Sequence, residues 1–343
     1  MTTDAGAGAG TRTGGAAGDR RERVRGSLLG GALGDALGWP IEFQRLDAIH
    51  DRFGPQGLTD VAAGGRHGEV TDDTQMTLFT AEGLLRGGTR EAVHRAYLRW
   101  MLTQRLSQPE REPDGWLLAQ PFLYASRAPG MACTTGLAGH SYVPPVPFGE
   151  DGPVNPNSKG CGTVMRSAPF GLAGLGVERA FEFAAECAQL THGHPTGYLA
   201  AGAFAALIER VTGGVGLRRA VEETIDQTAA YPGSGETVTA LRRAVETADT
   251  SEASAWTVER VGLGWIAEEC LAIAVYCALA GADARQALIL SVNHSGDSDS
   301  TGAVCGNLVG ALYGESALPA DWLTVVEGTD VIRRVADDLL AVR

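Results

Sequence analysis

Two short acidic motifs hold the residue types of this sequence with the greatest capacity for chemistry. The first, TDDT at residues 71–74, precedes the apolar segment MTLFTAEGLL, and the second, GDSDST at residues 296–301, precedes AVCGNLVGALYG. Each motif alone is explained by helix N-capping, because Ser, Thr and Asp side chains accept hydrogen bonds from a first helical turn and carboxylates interact favourably with the helix dipole. If the two helix starts face each other, four carboxylates and several hydroxyls meet at one point.

Such a meeting of carboxylates predicts bound cations. Mutual repulsion raises the pKa of clustered carboxyl groups unless cations lie between them. Carboxylate and hydroxyl oxygens are hard ligands, which favours Mg²⁺ or Mn²⁺ over Zn²⁺. The cysteines and histidines are not spaced as in a zinc site, which also disfavours zinc.

Three other segments could contribute to the same site. Glu42, in GDALGWPIEF, follows a predicted helix end beside a proline, where its position alone describes an ordinary exposed acid, and Asp35 reads as a helix-surface or capping residue. SKGCG at 158–162 is a glycine-rich loop whose backbone N–H groups suit an anion, although a plain loop leading into a helix is an equal alternative. THGHP at 191–195 is otherwise explained by a hydrogen-bonded turn with its proline as the first residue of a helix.

Five segments, taken in chain order, resemble the successive motifs of the ADP-ribosylglycohydrolases, a family that includes the dinitrogenase-reductase-activating glycohydrolase and the vertebrate ADP-ribosylarginine hydrolases. The segments are GSLLGGALGDALGWPIEF, TDDTQMTL, SKGCGTVMRSAPFGL, THGHPTGYLAAGAFAALI and NHSGDSDSTGAVCGNLVGALYG, and they cover about residues 22–315. The resemblance implies an all-α domain with two Mg²⁺ or Mn²⁺ ions at its centre. The implied metal ligands are Thr71, Asp72, Asp73, Asp297, Asp299 and Ser300.

The resemblance also implies roles in catalysis. Glu42 matches a glutamate near the metals that, in some members, moves between metal and substrate. Some members place an aspartate that is proposed to assist catalysis in a loop corresponding to residues 128–135, but this segment contains no acid here. A general acid or base must then come from Glu42 or from a metal-binding carboxylate, for which Asp73 and Asp297 are the candidates.

An ADP-ribose pocket is implied by the remaining motifs. The implied substrate-binding residues are Ser158, Gly160, Cys161, Gly162 and His192. The glycine-rich loop matches the family segment that contacts the diphosphate, and Cys161 stands where many members have Asn. We expect His192 to contact the substrate and His194 to be structural.

The spacing of apolar residues predicts an all-α scaffold for these motifs. Beyond residue 22, apolar side chains recur at helical intervals nearly everywhere, as over 24–36 and 93–101. The segments 197–208 and 271–282 are apolar on every face, which predicts central helices packed closely through Gly and Ala. Further helical patterns run over about 72–86, 163–174, 177–190, 195–211, 217–230, 236–248, 264–280, 283–292 and 299–312.

Two segments are predicted to be non-helical. Residues 1–20, rich in Gly and Ala, are predicted to form a disordered tail before a single compact multi-helix domain over residues 21–343. Nine of the fifteen prolines lie between Pro109 and Pro156, which predicts a long ordered loop. Loops of this length in a compact domain tend to line or cover a functional site.

The composition disfavours several classes of function. The sequence has 28 Lys and Arg against 41 Asp and Glu, a net charge of −13. Nucleic acids and anionic membranes are bound through clustered cations, so neither is a predicted partner. The longest strictly apolar run, which includes 271–280, is too short to span a membrane. The absence of a secretory signal and of any CxxC pair among the six cysteines predicts a cytoplasmic protein with reduced thiols.

Together with the resemblance, these observations predict a metal-dependent hydrolase that removes ADP-ribose from a modified protein. Two metal ions would orient the cis hydroxyls of the distal ribose and activate water, while carboxylates would stabilise an oxocarbenium-like transition state at C1″. The predicted substrate is ADP-ribosylarginine, with an N-glycosidic bond. Three different functions stay open: an O-linked ADP-ribosylserine hydrolase, a catalytically silent crystallin-like relative that binds ADP-ribose, and a two-metal phosphohydrolase that cuts the diphosphate.

Overall fold

The computed structural model describes residues 16–139 and 141–341, and these residues form sixteen α-helices. The helices are α1 (Ala16–Gly38), α2 (Leu46–Phe53), α3 (Asp72–Leu85), α4 (Arg90–Thr103), α5 (Met131–Gly139), α6 (Ala168–Leu172), α7 (Val177–Ala188), α8 (Pro195–Thr212), α9 (Leu217–Ala229), α10 (Gly235–Thr250), α11 (Ala255–Val261), α12 (Ala267–Ala280), α13 (Ala284–Val292), α14 (Ser298–Tyr313), α15 (Ala320–Leu323) and α16 (Thr329–Ala341). Short 3₁₀ segments are Trp39–Ile41, Val61–Gly64, Leu117–Ala119, Pro121–Leu123, Cys161–Thr163 and Glu315–Ala317. Within the described ranges the only β-type pairing is one isolated bridge between Gly160 and Ile266. The predicted all-α fold is confirmed.

Most predicted helices match observed ones to within a few residues, but the helix predicted over 163–174 is much shorter. Only α6 is α-helical in that segment, and it follows the 3₁₀ segment Cys161–Thr163. Pro169 lies in the first turn of α6, where the N–H that it lacks would have no helical partner. In the middle of a helix over 163–174 the same proline would remove a hydrogen bond and clash with the preceding turn.

The two segments predicted to be non-helical are both partly helical. Helix α5 lies inside the proline-rich segment, in the proline-free interval between Pro129 and Pro144, so the prediction of a continuous loop is wrong there. Helix α1 begins at Ala16, within the predicted tail, and Arg20 Nη2 donates a hydrogen bond to the Leu172 carbonyl at 3.0 Å. The rest of the predicted tail, residues 1–15, lies outside the described residues.

A glycine seam between α1 and α14 sets the centre of the fold. Gly30 and Gly34 of α1 face Gly306 and Gly302 of α14 so closely that a Cβ on any of the four would overlap a backbone carbonyl of the other helix. The two helices therefore pack backbone against backbone, as the abundance of glycine predicts. Because they run antiparallel, the end of α1 lies beside the start of α14, which brings Glu42 to the second acidic motif.

We expect Gly34→Ala to lower the free energy of unfolding by about 1–3 kcal/mol, because the added methyl group forces the two backbones apart. Urea unfolding measures the change. Gly235→Ala in α10 is the matched control, since a Cβ there meets no atom within 4 Å and the cost should stay within about 0.5 kcal/mol. Equal free energies of unfolding for the two variants would contradict the close backbone packing of α1 against α14.

The two helices predicted to be central are buried on nearly every face. In α8 the exceptions are Glu209 and Arg210 near its end, and in α12 they are Glu269 and the last two residues, Leu279 and Ala280. All six cysteines are free thiols, as predicted. Among the described residues, no helix combines the length and hydrophobicity needed to cross a membrane.

Candidate active site

A cleft of about 490 Å³ opens where the end of α1, the starts of α3 and α14, residues 128–133 and the segment Cys161–Thr163 meet. Ten predicted site residues line it, namely Glu42, Asp72, Asp73, Gly160, Cys161, Gly162, His192, Asp297, Asp299 and Ser300. Two others, Thr71 and Ser158, are not among the lining residues. The predicted convergence of the two acidic helix starts is therefore present in the fold.

The start of α3 is capped both by its own N-cap residue and by an aspartate of α1. Thr71 is the N-cap, and its hydroxyl accepts a hydrogen bond from the Asp73 N–H at 3.3 Å. Asp35 of α1 accepts hydrogen bonds from the N–H groups of Thr71 at 3.0 Å and Thr74 at 3.1 Å. Asp35 is fully buried, so the helix-surface interpretation is wrong, and its capping role serves α3 instead of its own helix. Burial, followed by repulsion from Asp299, raises the pKa of Asp35 to about 7.

Three carboxylates form the tightest part of the cluster. Glu42, Asp297 and Asp299 each place one oxygen so that all three atoms lie within 4.8 Å of one another. Among the described residues that line the cleft, none is Lys or Arg, so no cationic side chain balances these charges. Glu42 Oε2 and Asp73 Oδ1 are buried without a hydrogen-bond partner in the described part of the chain. The cleft thus presents carboxylate oxygens that could bind a cation, and two of them accept no hydrogen bond from the described residues.

The glycine-rich segment lines the cleft next to the acidic cluster. The Cys161 N–H donates to the Trp265 carbonyl at 3.2 Å, next to the bridge between Gly160 and Ile266. A Cβ on Gly162 would lie 2.8 Å from Cys133 Sγ, so the wall has no room for a side chain there.

The residues just before the glycines do not face the cleft. Lys159 pairs with Glu236 and Glu268, each at 2.7 Å, which directs its ammonium group away from the cleft. Ser158 lies in a turn, where its N–H donates to the Asn155 carbonyl at 2.9 Å.

His192 lines the cleft and is buried there. Arg166 Nη2 donates to Thr191 Oγ1 at 2.6 Å, and the same hydroxyl lies 2.7 Å from His192 Nδ1. Burial and the nearby Arg166 charge lower the pKa of His192 to about 3, so the ring is neutral at physiological pH.

His194 has the structural role predicted for it. Its Nδ1 caps α8 by accepting from the Thr196 N–H at 3.2 Å, and Pro195 is the first residue of the helix.

A family model described as ADP-ribosylglycohydrolase matches residues 16–343, nearly the whole chain. The chain belongs to the ADP-ribosylglycohydrolase family. It is 27% identical over 329 residues to the ADP-ribosyl-[dinitrogen reductase] glycohydrolase of Rhodospirillum rubrum, covering 93% of this chain and 96% of the relative. It is 25% identical to the ADP-ribosylarginine hydrolase Tri1 of Pseudomonas putida (strain GB-1), covering 93% and 78%. A solved ADP-ribosylglycohydrolase-related protein complex is similar with a TM-score of 0.68 and 25% identity, covering 94% of this chain and 99% of that chain.

The acids of the cleft have the electrostatics of a cation site. Burial and then repulsion from Asp299 raise the pKa of Glu42 to about 10, and burial raises that of Asp72 to about 8. The same two causes raise the pKa values of Asp73 and Asp297 well above the ordinary range. Carboxylates in this state are neutralised either by protons or by bound cations. The unpaired buried oxygens fit a divalent cation, as does a lining in which, among the described residues, the acids have no Lys or Arg beside them.

We expect the metal-free protein to lose stability as the pH rises from about 5 to about 8. In the folded protein the pKa of Asp35 is raised to about 7 and that of Asp72 to about 8, whereas both are about 4 in the unfolded chain. The two groups therefore stabilise the folded protein fully below about pH 4. This stabilisation is lost as the pH rises through about 7 for Asp35 and about 8 for Asp72. Each group then lowers the free energy of unfolding by up to about 1.4 kcal/mol per pH unit. Urea unfolding in excess EDTA across this range measures the slope.

The same titration should have a smaller slope with saturating Mn²⁺, because bound cations stabilise the ionised carboxylates. Asp72→Asn removes one titrating group, so it should also flatten the metal-free slope. A free energy of unfolding that rises with pH in EDTA would contradict this electrostatic description.

Two aromatic residues of the cleft are absent from the sequence-based prediction. Phe43 and Trp265 stack with ring centroids 5.4 Å apart and are 66% and 39% exposed at the cleft. Phe43 adopts a positive φ of 64°, which is rare for a residue with a Cβ. Its position directly after Glu42 is the only sequence signal for it, and nothing in the sequence near Trp265 indicates the pairing.

Proposed function

We propose that this protein hydrolyses the bond between C1″ of an ADP-ribosyl group and an arginine side chain of a modified protein, using two Mg²⁺ or Mn²⁺ ions. The observation that carries the proposal is that five carboxylates, four of them buried, line one cleft without a Lys or Arg among its described lining residues. The protein that contains this cleft belongs to a family of ADP-ribosyl hydrolases. The residues that would hold the metals are Thr71, Asp72, Asp73, Asp297, Asp299 and Ser300, with Glu42 beside them. Divalent ions bound there would supply ribose orientation and activation of water.

The chain's own residues account for the other requirements of the reaction. Substitution at C1″ develops positive charge on the sugar, and the carboxylates of Asp73 and Asp297, which line the cleft, would provide negative charge beside it. Glu42, with a raised pKa and a buried unpaired oxygen, is suited to hold a proton near the scissile bond. Neutral His192 lines the cleft, where its ring could form a hydrogen bond with the ADP-ribose.

The glycine-rich wall supports a diphosphate site without a cationic side chain. Gly160, Cys161 and Gly162 line the cleft where no side chain beyond the thiol intervenes between backbone and ligand. Backbone N–H groups at such a segment can bind anions even in an acidic protein, but the Cys161 N–H already donates to the Trp265 carbonyl and is not one of them. Ser158 remains a proposed contact only for a ligand that extends beyond the cleft lining.

We expect release of ADP-ribose from an arginine-linked peptide and little release from a serine-linked peptide of the same sequence. A relative covering 93% of this chain is named ADP-ribosylarginine hydrolase, and the net charge of −13 complements arginines in basic surroundings. Matched peptides and chromatography of the nucleotide product measure the preference. Release from the serine-linked peptide alone would overturn the arginine assignment and leave the metal site standing.

The nucleotide products of these peptides also distinguish hydrolysis at C1″ from two different functions. AMP in place of ADP-ribose would indicate a phosphohydrolase that cuts the diphosphate. Binding of ADP-ribose with no product from either peptide, in the presence of Mg²⁺ or Mn²⁺, would indicate a catalytically silent relative.

A further inference from the structure

The thiol of Cys161 lies inside the acidic cluster. Its Sγ is 2.7 Å from Asp297 Oδ2, to which it donates a hydrogen bond, and 3.6 Å from Ser300 Oγ. The backbone bond from the Cys161 N–H to the Trp265 carbonyl fixes this position. The sulfur atom therefore touches two residues that we propose as metal ligands.

A second observation indicates a ligand at the same place. Asp73 is 2% exposed and lines the cleft with Cys161, and its Oδ1 is buried with no hydrogen-bond partner among the described residues. Asp297, the acceptor of the thiol hydrogen bond, also belongs to the three carboxylates whose oxygens lie within 4.8 Å of one another. An ion on these oxygens would replace the thiol proton between sulfur and carboxylate.

We propose that Cys161 is a metal ligand that makes this centre bind thiophilic divalent ions such as Cd²⁺, Co²⁺ and Zn²⁺ more tightly than an oxygen-only site would. A thiolate is a soft ligand, and sulfur adds to the affinity for these ions but not to that for Mg²⁺. When the sulfur–metal bond forms, the S–H bond breaks and its proton passes to solvent. The inference rests on the proposed function only in placing the metal centre at this acidic cluster.

Cys133 is the matched control, because it lines the same cleft but makes different contacts from those of Cys161. Its Sγ lies 3.2 Å from Arg166 Nη1 and 3.7 Å from the Gly162 carbonyl, and no hydrogen bond joins it to an acid of the cluster in the described part of the chain. A thiol next to a guanidinium group is poorly placed to bind a cation. The two cysteines therefore separate a general thiol effect from ligation at the cluster.

The test is a titration of the metal-free full chain with Cd²⁺, followed by near-ultraviolet absorption and by calorimetry. We expect a thiolate-to-metal charge-transfer band in the wild type and in Cys133→Ser, and none in Cys161→Ser. Cys161→Ser should also weaken Cd²⁺ binding by about tenfold or more, while the Kd for Mg²⁺ changes by less than about threefold. Far-ultraviolet circular dichroism checks folding, and Cys161→Ala replaces Cys161→Ser if the serine variant does not fold.

Three results would overturn the inference: no Cd²⁺ binding, binding without the band, or a band that survives in Cys161→Ser. A missing band in a wild-type protein that still releases ADP-ribose with Mn²⁺ would defeat this inference alone. A band that depends on Cys161, in a protein that releases no ADP-ribose, would support the ligand and defeat the proposed function.

Discussion

Replacement of Asp299 by Asn is expected to lower kcat/KM for release of ADP-ribose by at least about 10³-fold, equivalent to about 4 kcal/mol of transition-state stabilisation. Asp299 is 3% exposed, shares the three-carboxylate cluster with Glu42 and Asp297, and has its own pKa raised by burial. Asn keeps the shape of the side chain and removes the charge that a metal requires. Steady-state kinetics with an arginine-linked peptide measures the loss.

The fold of this variant should remain intact. The Ser300 N–H donates to Asp299 Oδ1 at 3.0 Å, and the amide oxygen of Asn can accept the same hydrogen bond. Removing one of several repelling charges should leave the metal-free protein at least as stable as the wild type, whereas loss of a structural cap would cost about 1 kcal/mol. Asp226→Asn in α9, at an exposed position, is the matched control and should keep full activity. Wild-type rates in Asp299→Asn would favour the capping interpretation.

Glu42→Gln separates a metal ligand from a residue that acts on the substrate. Glu42 is beyond the end of α1 and is partly exposed, unlike the acids at the two helix starts. We expect this variant to lower kcat strongly while weakening Mn²⁺ binding less than Asp299→Asn does. Equal losses of Mn²⁺ affinity in both variants would make Glu42 an ordinary ligand.

Removal of divalent metal is expected to abolish hydrolysis completely, and Mg²⁺ or Mn²⁺ should restore it. Without cations the buried carboxylates of the cleft hold protons, and neither substrate orientation nor activation of water is available. Bound metal should also stabilise the folded protein, by about 2.7 kcal/mol when the free ion is at 100 times its Kd.

Activity assays and thermal melting of the protein, dialysed against EDTA and then titrated with each ion, test both effects. Asp72→Asn should reduce the metal-dependent rise in melting temperature, whereas Asp226→Asn should not. Full activity in excess EDTA would refute a metal-dependent reaction, and an unchanged melting temperature at saturating ion would place the metal elsewhere.

Much of the scaffold could be predicted because it depends on neighbours along the chain. The caps at Thr71 and His194 and the proline at the start of α8 are local features, and helical periodicity found the central helices. Where the prediction failed, the reason was also local: Pro169 shortens α6, and the proline-free interval within 109–156 forms α5.

The acidic residues themselves, their helix-start positions and their family resemblance were all determined by the sequence alone. Tertiary structure decided which of them meet. The backbone contact of the glycine seam places Glu42 beside Asp299, more than 250 positions apart in the chain. It also decided that Asp35 caps α3, that Phe43 stacks on Trp265 and that the Cys161 thiol touches Asp297. Local propensities act over a few residues, whereas contacts between distant segments depend on how whole helices pack, and no pattern in the sequence encodes that directly.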